Sequence, residues 1–180
     1  MNCAHTGSCC LRVVRFDGWK SRSISAGGHR SSCSIAKTAS RVRVYLDSSA
    51  LLKRVLREVE REEFAAAFRG LIEDGAELFS SSLAWVEVSR TIRMRLEVEA
   101  PRRIIDLIEI ALSGIEEFPI SEQVIDIAQR LGPASIRSLD AIHLASASLL
   151  GADLVCAYDQ RLLEAAEQVG FRTASPGIAR

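Results

Sequence analysis

The chain has 180 residues, is 48% hydrophobic and carries 23 basic against 23 acidic side chains, which supplies apolar material for one core rather than two. No stretch approaches the roughly 20 consecutive apolar residues of a membrane span. The net charge of zero hides a division, about +5 over residues 1–40 and about −5 over the rest, and an acidic body is not a generic nucleic-acid-binding surface: RNA or DNA must be met by local arginines or by cations bridging to phosphate.

Residues 1–40 show no periodicity and hold four of the five cysteines, Cys3, Cys9, Cys10 and Cys33, without paired metal-ligand spacing. The segment lacks the apolar run of a secretory signal, and its Arg- and Ser-rich composition comes without the amphipathic pattern of a transit peptide. Orderly patterning begins at Arg41. "VRVYL" (42–46) reads as a β-branched and aromatic strand closed by Asp47, and "SSALLKRVL" follows with helical spacing and a Ser at the cap position.

"VEREEFAAAFRGLIEDG" (59–75) is an amphipathic helix with Gly75 as its C-terminal stop. "ELFSSS" gives a short strand from Glu77 to Ser80. The next helix, "LAWVEVSRTIRMRL" (83–96), is expected to bury Leu83, Trp85, Val86, Val88 and Ile92. Pro101 opens a further helix that ends at Gly114. "IEEFPI" is a short strand, and a helix from Ser121 stops at Gly132 and Pro133. "SLDAIHLASASLLG" (138–151) is strongly helical. "DLVCAY" (153–158) reads as a continuous apolar strand closed by Asp159, with Cys156 as a small buried hydrophobe. "QRLLEAAEQVG" is the last helix and "FRTAS" the last strand.

Five short strands separated by helices indicate an α/β protein with a mostly parallel sheet, whose functional groups gather at the carboxyl ends of the strands. Asp47 and Asp159 already stand there. Glu87 is embedded in an apolar helical run, and Asp140 lies in the first turn of its helix, where the backbone dipole favours an anion. Taken singly, each acid has a plain structural reading: Asp47 and Asp159 as helix caps, Asp140 as a dipole partner, Glu87 as an exposed acid. Brought together, the four would repel one another unless a hard divalent cation were present.

At these residues the sequence resembles the PIN-domain ribonucleases, in particular the VapC toxins of type II toxin–antitoxin systems. "VYLDSSALLKR" is similar to the family's opening strand and first acid, "SSLAWVEVSRTI" to the segment bearing its Glu, "RSLDAIHLASA" to the third acid's helix, and "DLVCAYDQRLLEAAEQVGF" to the closing strand, acid and helix. The match runs over 42–175 in the family's order. It departs in having Ala157 and Tyr158 before Asp159, where the family often has a Thr. A second acid, Asp153, matches one common in the family but precedes its strand, and is expected at the opposite end of the sheet.

The resemblance implies a PIN-like three-layer fold, with a central, mostly parallel sheet of about five strands flanked by helices. It implies a domain at 42–176, a short tail at 177–180, and a leader at 1–41 that is disordered or misassigned. Twenty Arg against three Lys suggest a GC-rich coding sequence, in which translation is expected to begin at Val42 or Val44. The implied activity is Mg²⁺-dependent endoribonucleolytic hydrolysis, Mn²⁺ substituting, with Asp47, Glu87, Asp140 and Asp159 as catalytic metal ligands and products bearing 5′-phosphate and 3′-hydroxyl ends. Ser49 would bond a carboxylate or a metal-bound water. Arg90 and Arg93, with Arg95, would line the RNA path or form an ordinary solvated face. His143, one turn after Asp140 in an apolar run, is expected to be structural, with a general-acid role as the alternative.

The implied partners are a VapB-type antitoxin and the RNA substrate, in a homodimer and a toxin–antitoxin hetero-oligomer, in the cytoplasm and away from membranes. The faces of Trp85–Ile92 and Ile104–Leu112 are candidates for dimerisation. Two other classes stay open: a catalytically inactive PIN-like binding module, which would ordinarily have lost one or more of the four acids, and a DNA-directed flap-type nuclease, which would ordinarily carry longer insertions.

Overall fold

Val44, Tyr45 and Leu46 are fully buried, as expected of a strand paired on both edges. The computed structural model describes residues 41–96 and 100–178. Residues 1–40 of the expected leader lie outside them. In chain order the elements are β1 (Arg43–Leu46), α1 (Ser48–Leu52), α2 (Arg61–Glu73), β2 (Glu77–Ser81), α3 (Ser82–Arg95), α4 (Pro101–Leu112), β3 (Glu116–Phe118), α5 (Glu122–Ala128), α6 (Ser138–Leu150), β4 (Leu154–Cys156), α7 (Gln160–Gln168) and β5 (Thr173–Ala174).

The five strands form one sheet in the order β3-β2-β1-β4-β5. Every pair is parallel, with Tyr45 opposite Phe79 on one side and Val155 on the other. The expectation of a mostly parallel sheet is thus met in full. Chain order runs outward from β1 through β2 to β3, then returns across β1 to β4 and β5. The order therefore reverses between β1 and β4, and the crevice outside the strand ends at such a reversal is where α/β sheets place ligands.

Two clusters of buried side chains hold the layers. Leu46, Leu51, Phe64, Val88 and Ile92 unite α1, α2 and α3 with one face of the sheet. Tyr45, Leu144, Val155, Leu162 and Ala166 unite α6 and α7 with the other. Complete burial of a side chain such as Leu51 or Phe64 contributes about 1.5–3 kcal/mol. Cys156 lies in the first cluster, and burial pushes its thiol up to about 12, which makes it the unreactive hydrophobe expected.

Several local expectations are corrected. The cap of the first helix is Asp47 rather than a serine, since its carboxylate accepts from the Ser49 amide. That helix also ends at Leu52 and gives way to turns instead of continuing to Leu56. On α3 the buried row is Ala84, Val88 and Ile92, at strict i+4 spacing, whereas Val86 is exposed. Strand β4 is three residues long rather than six. Gly75 and Gly151 do follow their helices with φ of 72° and 68°, the left-handed conformation that ends a helix at little cost only for glycine. Asp153 lies at the amino end of the sheet as expected, where its carboxylate accepts from the Arg43 amide at 2.8 Å.

Candidate metal and active site

Each acid reaches the carboxyl end of the sheet by a different local device. Asp47 follows β1 directly, and its Oδ2 accepts from the Ser49 amide at 3.0 Å and the Ser49 hydroxyl at 2.6 Å. Asp159 follows β4, and its Oδ1 accepts from the amides of Arg161 and Leu162 at 2.8 and 3.3 Å. The cap reading and the functional reading are therefore compatible: the cap bonds go to one oxygen of each carboxylate, and both residues line the cavity. Glu87 comes from α3, the helix that directly follows β2, and Asp140 from the first turn of α6. All four acids line a single cavity of about 300 Å³.

Ser49 is placed as expected. Its hydroxyl donates to Asp47, and its oxygen accepts from the Tyr158 amide at 2.8 Å, which ties the end of β1 to the segment after β4.

The electrostatics are those of crowded anions. Burial, with the charges of Asp159 and Asp47, raises the pKa of Asp140, although His143 and Arg137 act in the opposite sense. Asp140 Oδ2 is buried and meets no hydrogen-bond donor. A buried carboxylate oxygen without a donor costs of order 1–3 kcal/mol. Burial would also raise Glu87, but a hydrogen bond from His143, its charge and a bond from Ser48 outweigh this and leave Glu87 below the usual range.

His143 is the group that sequence reasoning set aside. It is only 2% exposed, as a core residue would be, yet its ring spans the site. Nδ1 lies 2.7 Å from the Tyr45 hydroxyl, and Nε2 lies 2.9 Å from Glu87 Oε2 and 3.4 Å from Asp47 Oδ1. Burial opposes its positive charge, but Asp47, Glu87 and Asp140 outweigh that and raise its pKa. Asp47, Glu87 and His143 bring potential ligand atoms within 4.8 Å of one another. The only signal for this in the sequence was the i+3 spacing from Asp140.

Of the two readings of the α3 arginines, exposure fits either: Arg90 and Arg93 are exposed on α3 and do not line the cavity, and Arg95 pairs with Glu58. Among the described residues the arginine at the cavity is Arg137, which precedes α6. Asp153 takes no part in the site.

The cavity fits a hard divalent cation: Asp47 and Glu87 bring carboxylate oxygens together, Asp140 and Asp159 line the same cavity outside that close group, and the buried Asp140 Oδ2 without a donor is an atom that a cation would satisfy.

The PIN domain family model matches residues 44–168. Ribonuclease VapC47 of Mycobacterium tuberculosis is 37% identical over 139 residues, covering 76% of this chain and 99% of that protein. Ribonuclease VapC46 of the same species is 37% identical over 74% of this chain and 97% of its own length. Among solved structures, the sarcin-ricin-loop-cleaving toxin VapC20 of M. tuberculosis superposes with a TM-score of 0.57 at 14% identity, covering 74% of this chain and 99% of that one. A toxin–antitoxin complex from Klebsiella pneumoniae gives 0.51 at 17% identity, over 76% and 99%. These two likenesses concern the fold. With four acids at the carboxyl end of a parallel sheet and relatives matched over almost their whole length, the chain belongs to the VapC family of PIN-domain ribonucleases.

Proposed function

We propose that this protein is the toxin of a type II toxin–antitoxin pair and acts as a Mg²⁺-dependent endoribonuclease. The observation that carries the reading is the convergence of Asp47, Glu87, Asp140 and Asp159 on one cavity, with Asp140 Oδ2 buried and without a donor. A divalent cation would satisfy that oxygen and offset the repulsion among the acids.

Asp47 and Asp140 would hold the cation most directly, with Glu87 beside them as ligand or water-positioning group and Asp159 as an outer ligand. When bound, Mg²⁺ would supply charge stabilisation at the scissile phosphate and a water of lowered pKa. Ser49 holds Asp47 in one orientation, and the α6 dipole steadies Asp140 as an anion. Arg137 stands at the cavity where a phosphate of the RNA would enter. Hydrolysis in this arrangement leaves 5′-phosphate and 3′-hydroxyl ends.

A VapB-type antitoxin is the partner this reading requires, and the acidic cavity is suited to receive a guanidinium from it. Homodimerisation would use α3 and α4, where Val86, Ile105 and Ile110 are each about half exposed. Assembly with the antitoxin would then give a hetero-oligomer. Among the described residues no helix is long and apolar enough to cross a membrane, and a cytoplasmic site of action follows from the RNA substrate.

The test is brief induction in a bacterial host, with sequencing of RNA ends bearing 5′-phosphate. New ends and growth arrest should appear with the wild type and be absent with Asp140→Asn. Arrest by folded Asp140→Asn equal to the wild type would overturn the reading.

A further inference from the structure

Tyr45 and His143 form a buried pair behind the carboxylates. Tyr45 is fully buried, so its hydroxyl hydrogen has to be used inside the protein. Its oxygen meets the Ser81 amide at 3.1 Å and the Ser80 and Ser81 hydroxyls, and His143 Nδ1 stands 2.7 Å away. In the neutral ring an O–H donated to Nδ1 leaves the hydrogen on Nε2, and in the charged ring both nitrogens carry one, so Nε2–H is present in either form. A second observation gives the same assignment. Nε2 faces Glu87 Oε2 at 2.9 Å and Asp47 Oδ1 at 3.4 Å, where a lone pair would be repelled and an N–H attracted.

We propose that His143 is a positioning residue of this site: Tyr45 holds its ring on one side, and Nε2–H on the other orients Glu87 and Asp47 for the cation without binding it. The ring is neither ligand nor general base, because the nitrogen facing the site carries a hydrogen and the other is engaged by Tyr45. Two sheet-end residues thus act through one helix side chain. Tyr45 precedes Asp47 by two positions on the same backbone, and Ser81, which bonds Tyr45, is the cap of the helix that carries Glu87.

The role rests on the reading of the site as a metal-dependent nuclease, so its test separates the two. Imidazole nitrogen NMR of the histidine-labelled full chain, recorded at alkaline pH where the ring is neutral, reads the hydrogen directly, with His143→Phe assigning the signal. Nε2 should carry it both before and after Mg²⁺ is added. Calorimetric titration with MgCl₂ should show His143→Phe weakened about tenfold or more, the scale of losing a group that orients metal ligands. His143→Gln, whose amide places an N–H near the same point, should recover most of the loss, and Tyr45→Phe should fall between. A hydrogen on Nδ1, loss of the Nε2 hydrogen on adding Mg²⁺, or wild-type affinity in folded His143→Phe would each overturn the proposal. Absence of Mg²⁺ binding by the wild type, with the hydrogen on Nε2, would instead overturn the metal-dependent reading on which it rests.

Discussion

The Ser49 hydroxyl donates to Asp47 Oδ2 across 2.6 Å, and its oxygen accepts from the Tyr158 amide at 2.8 Å. One small side chain therefore sets the orientation of the acid after β1 and fixes it against the segment after β4. Ser49→Ala removes both bonds. It is expected to lower Mg²⁺ affinity and cleavage rate about tenfold, and to cost about 1 kcal/mol of stability. Titration calorimetry and chemical denaturation check the two effects separately, and Ser49→Thr should retain part of each.

Asp140 is stabilised as an anion by the helix dipole but held in a site where burial and neighbouring acids raise its pKa. An acid whose folded pKa lies above its unfolded value binds its proton more readily in the native state. Its contribution to stability is then greatest at low pH and is lost as pH rises from its unfolded pKa through the folded one. Asp140→Asn should accordingly be more stable than the metal-free wild type at neutral pH, by about 1 kcal/mol or a few degrees in Tm. The difference should vanish in acid. Paired melts across pH in chelator measure it, and adding Mg²⁺ should stabilise the wild type but not the variant.

Arg137 lines the acidic cavity and is exposed. If it meets a phosphate on the RNA, its loss weakens substrate binding more than chemistry. Arg137→Ala should raise KM about fivefold with kcat nearly unchanged, and the effect should shrink at high salt. Arg90→Ala, away from the cavity, should change neither by more than about twofold.

Much of this architecture could be read from the chain because its signals are local. Apolar runs marked β1 and β4, glycines with positive φ marked the ends of α2 and α6, and acids directly after strands marked the crevice. What escaped depended on distance in sequence. His143 bonds residues 98 and 56 positions away, and nothing in "AIHLASA" distinguishes such a ring from an ordinary core histidine. The α3 arginines follow Glu87 in sequence, yet a helix turns about 100° per residue, and Arg90 and Arg93 are exposed without lining the cavity. Val86 misled for the same reason: neighbours in an apolar run do not share a face.

If the four-acid cavity cleaves RNA with a divalent cation, the purified protein does so in vitro. Purified full-length protein, freed from any co-expressed antitoxin, is incubated with a mixed bacterial RNA pool in Mg²⁺ or in EDTA, beside folded Asp47→Asn and Asp140→Asn. The expected result is cleavage only by the wild type and only with the cation, leaving 5′-phosphate and 3′-hydroxyl ends. Cleavage that persists in EDTA, or at wild-type rate in either variant, would contradict it.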